Sequence, residues 1–199
     1  MHDQDKADDP HNWSSHAACE LREKARRLEL APTPCFLGEK QIAFRDLAKE
    51  APNAIRSLTD SLPGYPEQCI YIIELDQGTA AQPVQQAFRR ARLLLDLKLP
   101  RDNYEQSRCL YVGSSCSTGG RKNTLKTRLT QHLVEAPSAT YAMSLSSWAS
   151  DLEGGILVSA WHYPAMGRTE KEIREIILAI EDWLAKEMKP MMGQRGIRN

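Results

Sequence analysis

The chain lacks any apolar run approaching the roughly 20 residues that a membrane-spanning helix needs, which argues against a helical membrane protein. It has no CxxC or HxxxH pair, so a structural zinc site is not expected. Its five cysteines are odd in number and form no regular framework, which fits free thiols in a reducing compartment rather than a disulfide scaffold. No GxxxxGK[ST] phosphate loop is present, and no internal repeat or low-complexity tract. An excess of charge of either sign is missing as well: 26 Lys and Arg balance 26 Asp and Glu, which as a total argues against a partner as anionic as DNA. The opening MHDQDKADDPHNW is polar and acidic, unlike a secretory or transit leader, and the protein is read as cytoplasmic.

What is present suits one domain with an extension, since 199 residues are enough to bury a real core. Residues 1–13 read as a disordered acidic tail. Residues 14–65 read as an N-terminal helical extension: one charged helix from Ser15 to about Leu28, the breakers Pro32 and Pro34, and a second helix near Ile42 to Leu58 interrupted around Pro52. The two prolines and the glycine of SLPGYPEQ mark a border near residue 65.

Beyond that border the pattern alternates between strands and helices. CIYIIEL predicts a strand at 69–75, CLYVG a second at 109–113 and GILVSAWHY a third. Helical spacing of apolar residues predicts helices near 82–97, over LKTRLTQHLVE, over TYAMSLSSWASD and over the long stretch TEKEIREIILAIEDWLAKEMKP. Thr169 and Glu172 have the spacing of a capping box at the start of the last helix, and Pro190 stops it.

Charge is even overall but not locally. Residues 86–128 contain Arg89, Arg90, Arg92, Lys98, Arg101, Arg108, Arg121, Lys122, Lys126 and Arg128 against Asp96, Asp102 and Glu105. Such a stretch is either a solvated basic face or a phosphate-binding one. Phosphodiester hydrolysis needs water activation, positive charge for the developing phosphorane and usually a carboxylate-held divalent ion. Candidates for those roles are the strand tyrosines Tyr71 and Tyr111, the helical pair Arg128 and His132 at i and i+4, and Glu181 at the margin of the apolar stripe Ile173, Ile176, Ile177, Ile180 and Leu184. Taken singly, each also fits an ordinary surface or boundary residue.

CIY at 69–71, YVG at 111–113, LKTRLTQH at 125–132 and the run from Glu181 to Pro190 stand in an order that resembles the GIY-YIG nucleases, over about 69–193. The resemblance implies an α/β domain of the α+β type, with a small three-stranded antiparallel sheet flanked by helices and with both tyrosines and the arginine on one concave face. It implies a metal-dependent DNA endonuclease that uses one Mg²⁺ or Mn²⁺ and leaves 5′-phosphate and 3′-hydroxyl ends. Tyr71 would help activate water, Tyr111 would orient water or phosphate, and Arg128 would stabilise the transition state. His132 would support proton transfer, and Glu181 would be the sole protein ligand of the metal. Gly113, Ser114, Arg121, Lys122 and Lys126 would contact DNA.

The chain departs from the family pattern at three places: Ser114 and Ser115 follow YVG where many members carry a lysine, Gly193 stands where many carry an asparagine, and the first signature is CIY. These departures keep a second class open, a catalytically weak DNA-binding or protein-interaction module on the same fold.

Overall fold

A computed structural model of the protein describes residues 19, 22, 23, 25, 26, 29, 31–62, 67–116 and 123–193. The chain divides into two compact units, 1–31 and 32–199. In the first unit residues 19, 22, 23, 25, 26 and 29 are helical, in keeping with a helix expected from Ser15 to about Leu28. The tail expected over 1–13 lies outside the described residues.

The second unit runs β1 (Cys35–Ala43), α1 (Leu47–Thr59), β2 (Gln68–Leu75), α2 (Ala81–Leu94), β3 (Cys109–Cys116), α3 (Leu125–Leu133), β4 (Gly155–His162) and α4 (Glu170–Met188). It holds a four-stranded sheet in the order β1-β4-β2-β3, with every neighbouring pair antiparallel. The expected three strands are thus corrected to four. The stretch expected to be wholly helical over 14–65 instead contributes β1, as well as α1, to the unit that holds the sheet. β1 is an edge strand with only Ile42 buried and with Glu39 and Lys40 in its middle, so it carries little apolar alternation. Its strand conformation comes from pairing with β4, through a bulge near Gly38, where φ is 133°.

Two other expectations change. α1 passes through Pro52 without interruption, because that proline is exposed while Leu47, Ala51, Ile55 and Leu58 are buried and hold the helix to the core. The helix expected over TYAMSLSSWASD is only a 3₁₀ turn at Leu145–Ser147. Ser144 there is left-handed, with φ 45°, and its N–H donates to Gln131 O (3.3 Å) instead of starting a helix.

β2 is buried on both faces, which is why it reads as a continuous apolar run. Cys69, Tyr71 and Ile73 enter the main core with α1, α2 and α3, whereas Ile70 and Ile72 face the packing layer of α4. α4 begins with the expected capping box: Thr169 and Glu172 exchange side-chain to backbone bonds (2.9 and 3.3 Å).

The turn after β2 is tied to the start of β4 through one hydroxyl. Thr79 Oγ1 donates to Asp76 Oδ1 (2.5 Å) and accepts from the Gly155 N–H (2.8 Å). The Thr79 hydroxyl is also the main reason the Asp76 carboxyl sits below its ordinary range. Thr79→Val keeps the volume but leaves a buried N–H without its acceptor, and such a loss costs about 1–3 kcal/mol. Urea unfolding should show a destabilisation of that size, and a change within about 0.5 kcal/mol would remove the network from the fold's support.

Candidate active site

Register builds the centre of the site. Tyr71 on β2 lies directly opposite Gly113 on β3, so the two positions share a face. Gly113 has no side chain, and the Tyr71 ring occupies the space above it: a Cβ there would come 2.5 Å from Tyr71 Cζ and 2.7 Å from Tyr111 Cε1. The two tyrosine rings stack, with centroids 6.2 Å apart and 16° between planes. A second glycine borders the pair, since a Cβ on Gly193 would sit 3.1 Å from Tyr111 Cε2. Gly193 is placed by a segment that follows α4 and runs along β3, where Met191 N–H donates to Cys109 O (2.7 Å) and Met192 N–H to Leu110 O (3.0 Å). Asn103 Nδ2 donates to Gly193 O (3.0 Å).

α3 supplies the cationic part. Thr124 caps it by accepting from the Thr127 N–H (3.1 Å), and Leu125, Leu129, His132 and Leu133 form its buried side. The Glu67 carboxylate also accepts from the Leu125 N–H at this helix start. Arg128 and His132, one turn apart, meet at 3.2 Å between Nη2 and Nε2. Arg128 Nη1 donates to Gln131 Oε1 (2.9 Å). The His132 ring lies 4.2 Å from the Tyr111 ring and 5.8 Å from the Tyr71 ring, centroid to centroid. Two polar atoms of this cluster, Tyr71 Oη and Arg128 Nε, are buried and have no hydrogen-bond partner in the protein.

The electrostatics follow from burial. Tyr71 is fully buried; desolvation, then the neighbouring Tyr111, pushes its phenol up, and the Arg128 charge only partly offsets this. Burial also raises Tyr111, so both remain phenols at neutral pH. Burial, then the Arg128 charge, pushes His132 well below its ordinary value and keeps it neutral. Arg128 loses by burial but gains more from the two phenols and Glu181, and it stays charged.

Glu181 comes to this centre from the other face of the sheet. α4 packs on the side that bears Ile70 and Ile72, and Ser114, paired with Ile70, points to that side. Ser114 Oγ donates to Glu181 Oε2 at 2.6 Å. The expectation that all these side chains share one concave face is therefore modified. Tyr71, Tyr111, Arg128 and His132 form one cluster, and Glu181 stands across the edge strand β3, where its charge acts on both phenols and on Arg128.

Of the residues expected to contact nucleic acid, Gly113 is buried beneath the tyrosines, Ser114 is engaged by Glu181, and Lys126 is exposed. Arg121 and Lys122 lie outside the described residues. Sequence reading missed Gln131, Met143 and Asn103, which contact the site through neutral polar or backbone groups and carry no recognisable spacing. Gly193 was legible only as a departure from a pattern, although its positive φ and its place beside Tyr111 make glycine the fitting residue there. Among the described residues no group of three or more His, Cys, Asp or Glu could hold a metal ion, so an ion here would rest on Glu181 and on non-protein oxygens. Comparison with protein-family models, with curated proteins and with solved structures finds no match.

Two outcomes follow from this geometry. Gly113→Ala should displace the Tyr71 ring and destabilise the fold by about 1–3 kcal/mol, as overpacking does; thermal unfolding together with Tyr71 ring resonances would measure both, and unchanged values would contradict the close approach. The second concerns acid. An unfolded histidine titrates near about 6.5, and His132 titrates lower in the folded state, so between those two values the unfolded chain binds more protons. Its stabilising contribution is whole above the unfolded value and is lost as pH falls through that window. His132→Gln should show a smaller loss of stability than the parent between pH 7 and 5, followed by urea midpoint; an equal loss would assign the acid sensitivity elsewhere.

Proposed function

We propose that the chain is a metal-dependent DNA endonuclease of the GIY-YIG type, which hydrolyses phosphodiester bonds with a single Mg²⁺ or Mn²⁺. The observation that carries this reading is the pair of buried, partnerless groups, Tyr71 Oη and Arg128 Nε, within one cluster. A buried polar atom without a partner is costly, and sites that bind polar ligands are where such atoms are retained. A phosphate with its attacking water would satisfy both.

On this reading Arg128 presents Nε and Nη2 as a planar two-pronged donor to the phosphate and opposes the charge that develops there. Tyr71 keeps its proton and orients the attacking water through its hydroxyl. Tyr111 fixes the Tyr71 ring by stacking and borders the phosphate. His132, neutral, holds Arg128 by accepting from Nη2 and is a positioning residue. Glu181 fits a hard divalent cation, because Mg²⁺ commonly takes one or two carboxylates and completes its shell with water and substrate phosphate. When bound, the ion supplies Lewis-acid stabilisation of the phosphoryl oxygens. Ser114 fixes the orientation of the Glu181 carboxylate for that task.

The complete burial of Tyr71 favours a second reading, in which the cluster is a packing unit of a catalytically weak DNA-binding or protein-interaction module. Cleavage of a panel of labelled DNA structures in Mg²⁺ or Mn²⁺ separates the two. Glu181→Ala should abolish cleavage while retaining much of the DNA affinity measured in calcium, because removing a carboxylate also relieves repulsion from phosphate. Arg128→Ala should lose on the order of 10²–10³ in single-turnover rate, and Arg128→Lys should recover little, since a point charge does not replace a planar fork. Binding without any metal-dependent cleavage by the parent chain would select the second reading.

A further inference from the structure

His132 presents a hydrogen-bonding conflict. A neutral imidazole has one N–H donor and one acceptor nitrogen. Here both ring nitrogens face donors: Arg128 Nη2 lies 3.2 Å from Nε2, and the Met143 N–H lies 3.3 Å from Nδ1. An arginine cannot accept and does not lose its proton. A peptide N–H cannot accept either. Turning the ring over would replace both nitrogens with C–H groups, so no orientation satisfies the two donors together. At any moment only one of the two contacts is a hydrogen bond.

The competing donors are both held in place. Met143 is fixed from its other side, because its carbonyl accepts from Trp148 Nε1 (2.7 Å) and Trp148 packs against Phe88 with centroids 5.6 Å apart. Arg128 is fixed by Gln131, which accepts from Nη1. His132 itself is fully buried, so water does not intervene as a third partner. Either tautomer leaves one N–H opposed by another N–H, a state that a buried site tolerates poorly.

We infer that His132 changes tautomer when an anionic oxygen binds at Arg128, passing Arg128 Nη2 to the anion and turning its own acceptor nitrogen to Met143. The inference rests on the phosphate-binding role proposed for Arg128. Without an anion the charged donor makes the stronger bond, so the proton sits on Nδ1 and Nε2 accepts from Arg128. A phosphate oxygen is the better acceptor for Nη2. Once it takes that donor, the stable tautomer has Nε2–H and an acceptor Nδ1, which satisfies the Met143 N–H. The N–H bond at Nδ1 breaks and one forms at Nε2, with water carrying the proton during local opening; the imidazole stays neutral and no net proton is gained. Nε2–H then points toward the bound oxygen and adds a second donor beside the guanidinium. His132 thus acts through Arg128 as a positioning residue and joins the 142–148 segment to the state of the site.

The test uses the whole ¹⁵N-labelled chain, free, with inorganic phosphate, and with a short DNA duplex in the absence of divalent metal. Imidazole ¹⁵N shifts distinguish the two tautomers, and the Met143 amide and the Arg128 Nε–H resonance report the two ends. The expected result is Nδ1–H in the free chain. With either anion the major form should become Nε2–H, with a downfield shift of the Met143 amide. Perturbation of Arg128 Nε–H by phosphate or duplex with no change of tautomer overturns the switch and leaves the phosphate-binding reading standing. No perturbation of Arg128 by either probe overturns both. A free chain already in the Nε2–H form overturns the switch alone.

Discussion

The absence of a side chain at Gly113 is the constraint on which the site depends. β2 and β3 run antiparallel in a register that sets Tyr71 directly against this position, and only a bare backbone lets the phenol lie across the neighbouring strand. Tyr111 then stacks on Tyr71, with its other edge against Gly193. His132 closes over Tyr111, and Arg128 is carried along with it on the same helix face. Each contact presupposes the one before it.

Burial then sets the chemical state of every group in the cluster. In a medium less polarisable than water, ionised forms that lack a close partner are disfavoured, so the phenols keep their protons and the imidazole stays neutral. Only the guanidinium keeps a charge, because arginine is too basic to lose it there. A single fixed cation beside two phenols is an arrangement suited to an anion. The same low polarisability makes the conflicting donors around His132 consequential rather than incidental.

The sheet separates two tasks. The face toward α1, α2 and α3 carries the main core and the tyrosine cluster, and the other carries α4 with Glu181. The edge position of β3 allows the carboxylate to act around the strand instead of through the core, with Ser114 as its anchor. Ser114 stands where the resembling family often has a lysine. In this chain the serine gives Glu181 a short hydrogen bond, in place of a second cation near Arg128.

Elements with strong local signals were legible in the sequence alone. β2 shows itself as a β-branched and aromatic run because it is buried on both faces, and α4 through its capping box and apolar stripe. Arg128 and His132 were visible as neighbours because helical spacing fixes which side chains meet. β1 was not visible, since an edge strand with charged residues in its middle owes its conformation to backbone pairing with β4. The segment 144–148 reads as helical but is held in a left-handed turn by Gln131, a contact that no local pattern encodes. The side of the sheet from which Glu181 arrives, the fit of Tyr71 over Gly113 and the two donors that compete for His132 arise from register and packing between residues far apart in the chain. Local sequence determines which side chains a helix or strand presents; only the tertiary structure decides what they meet.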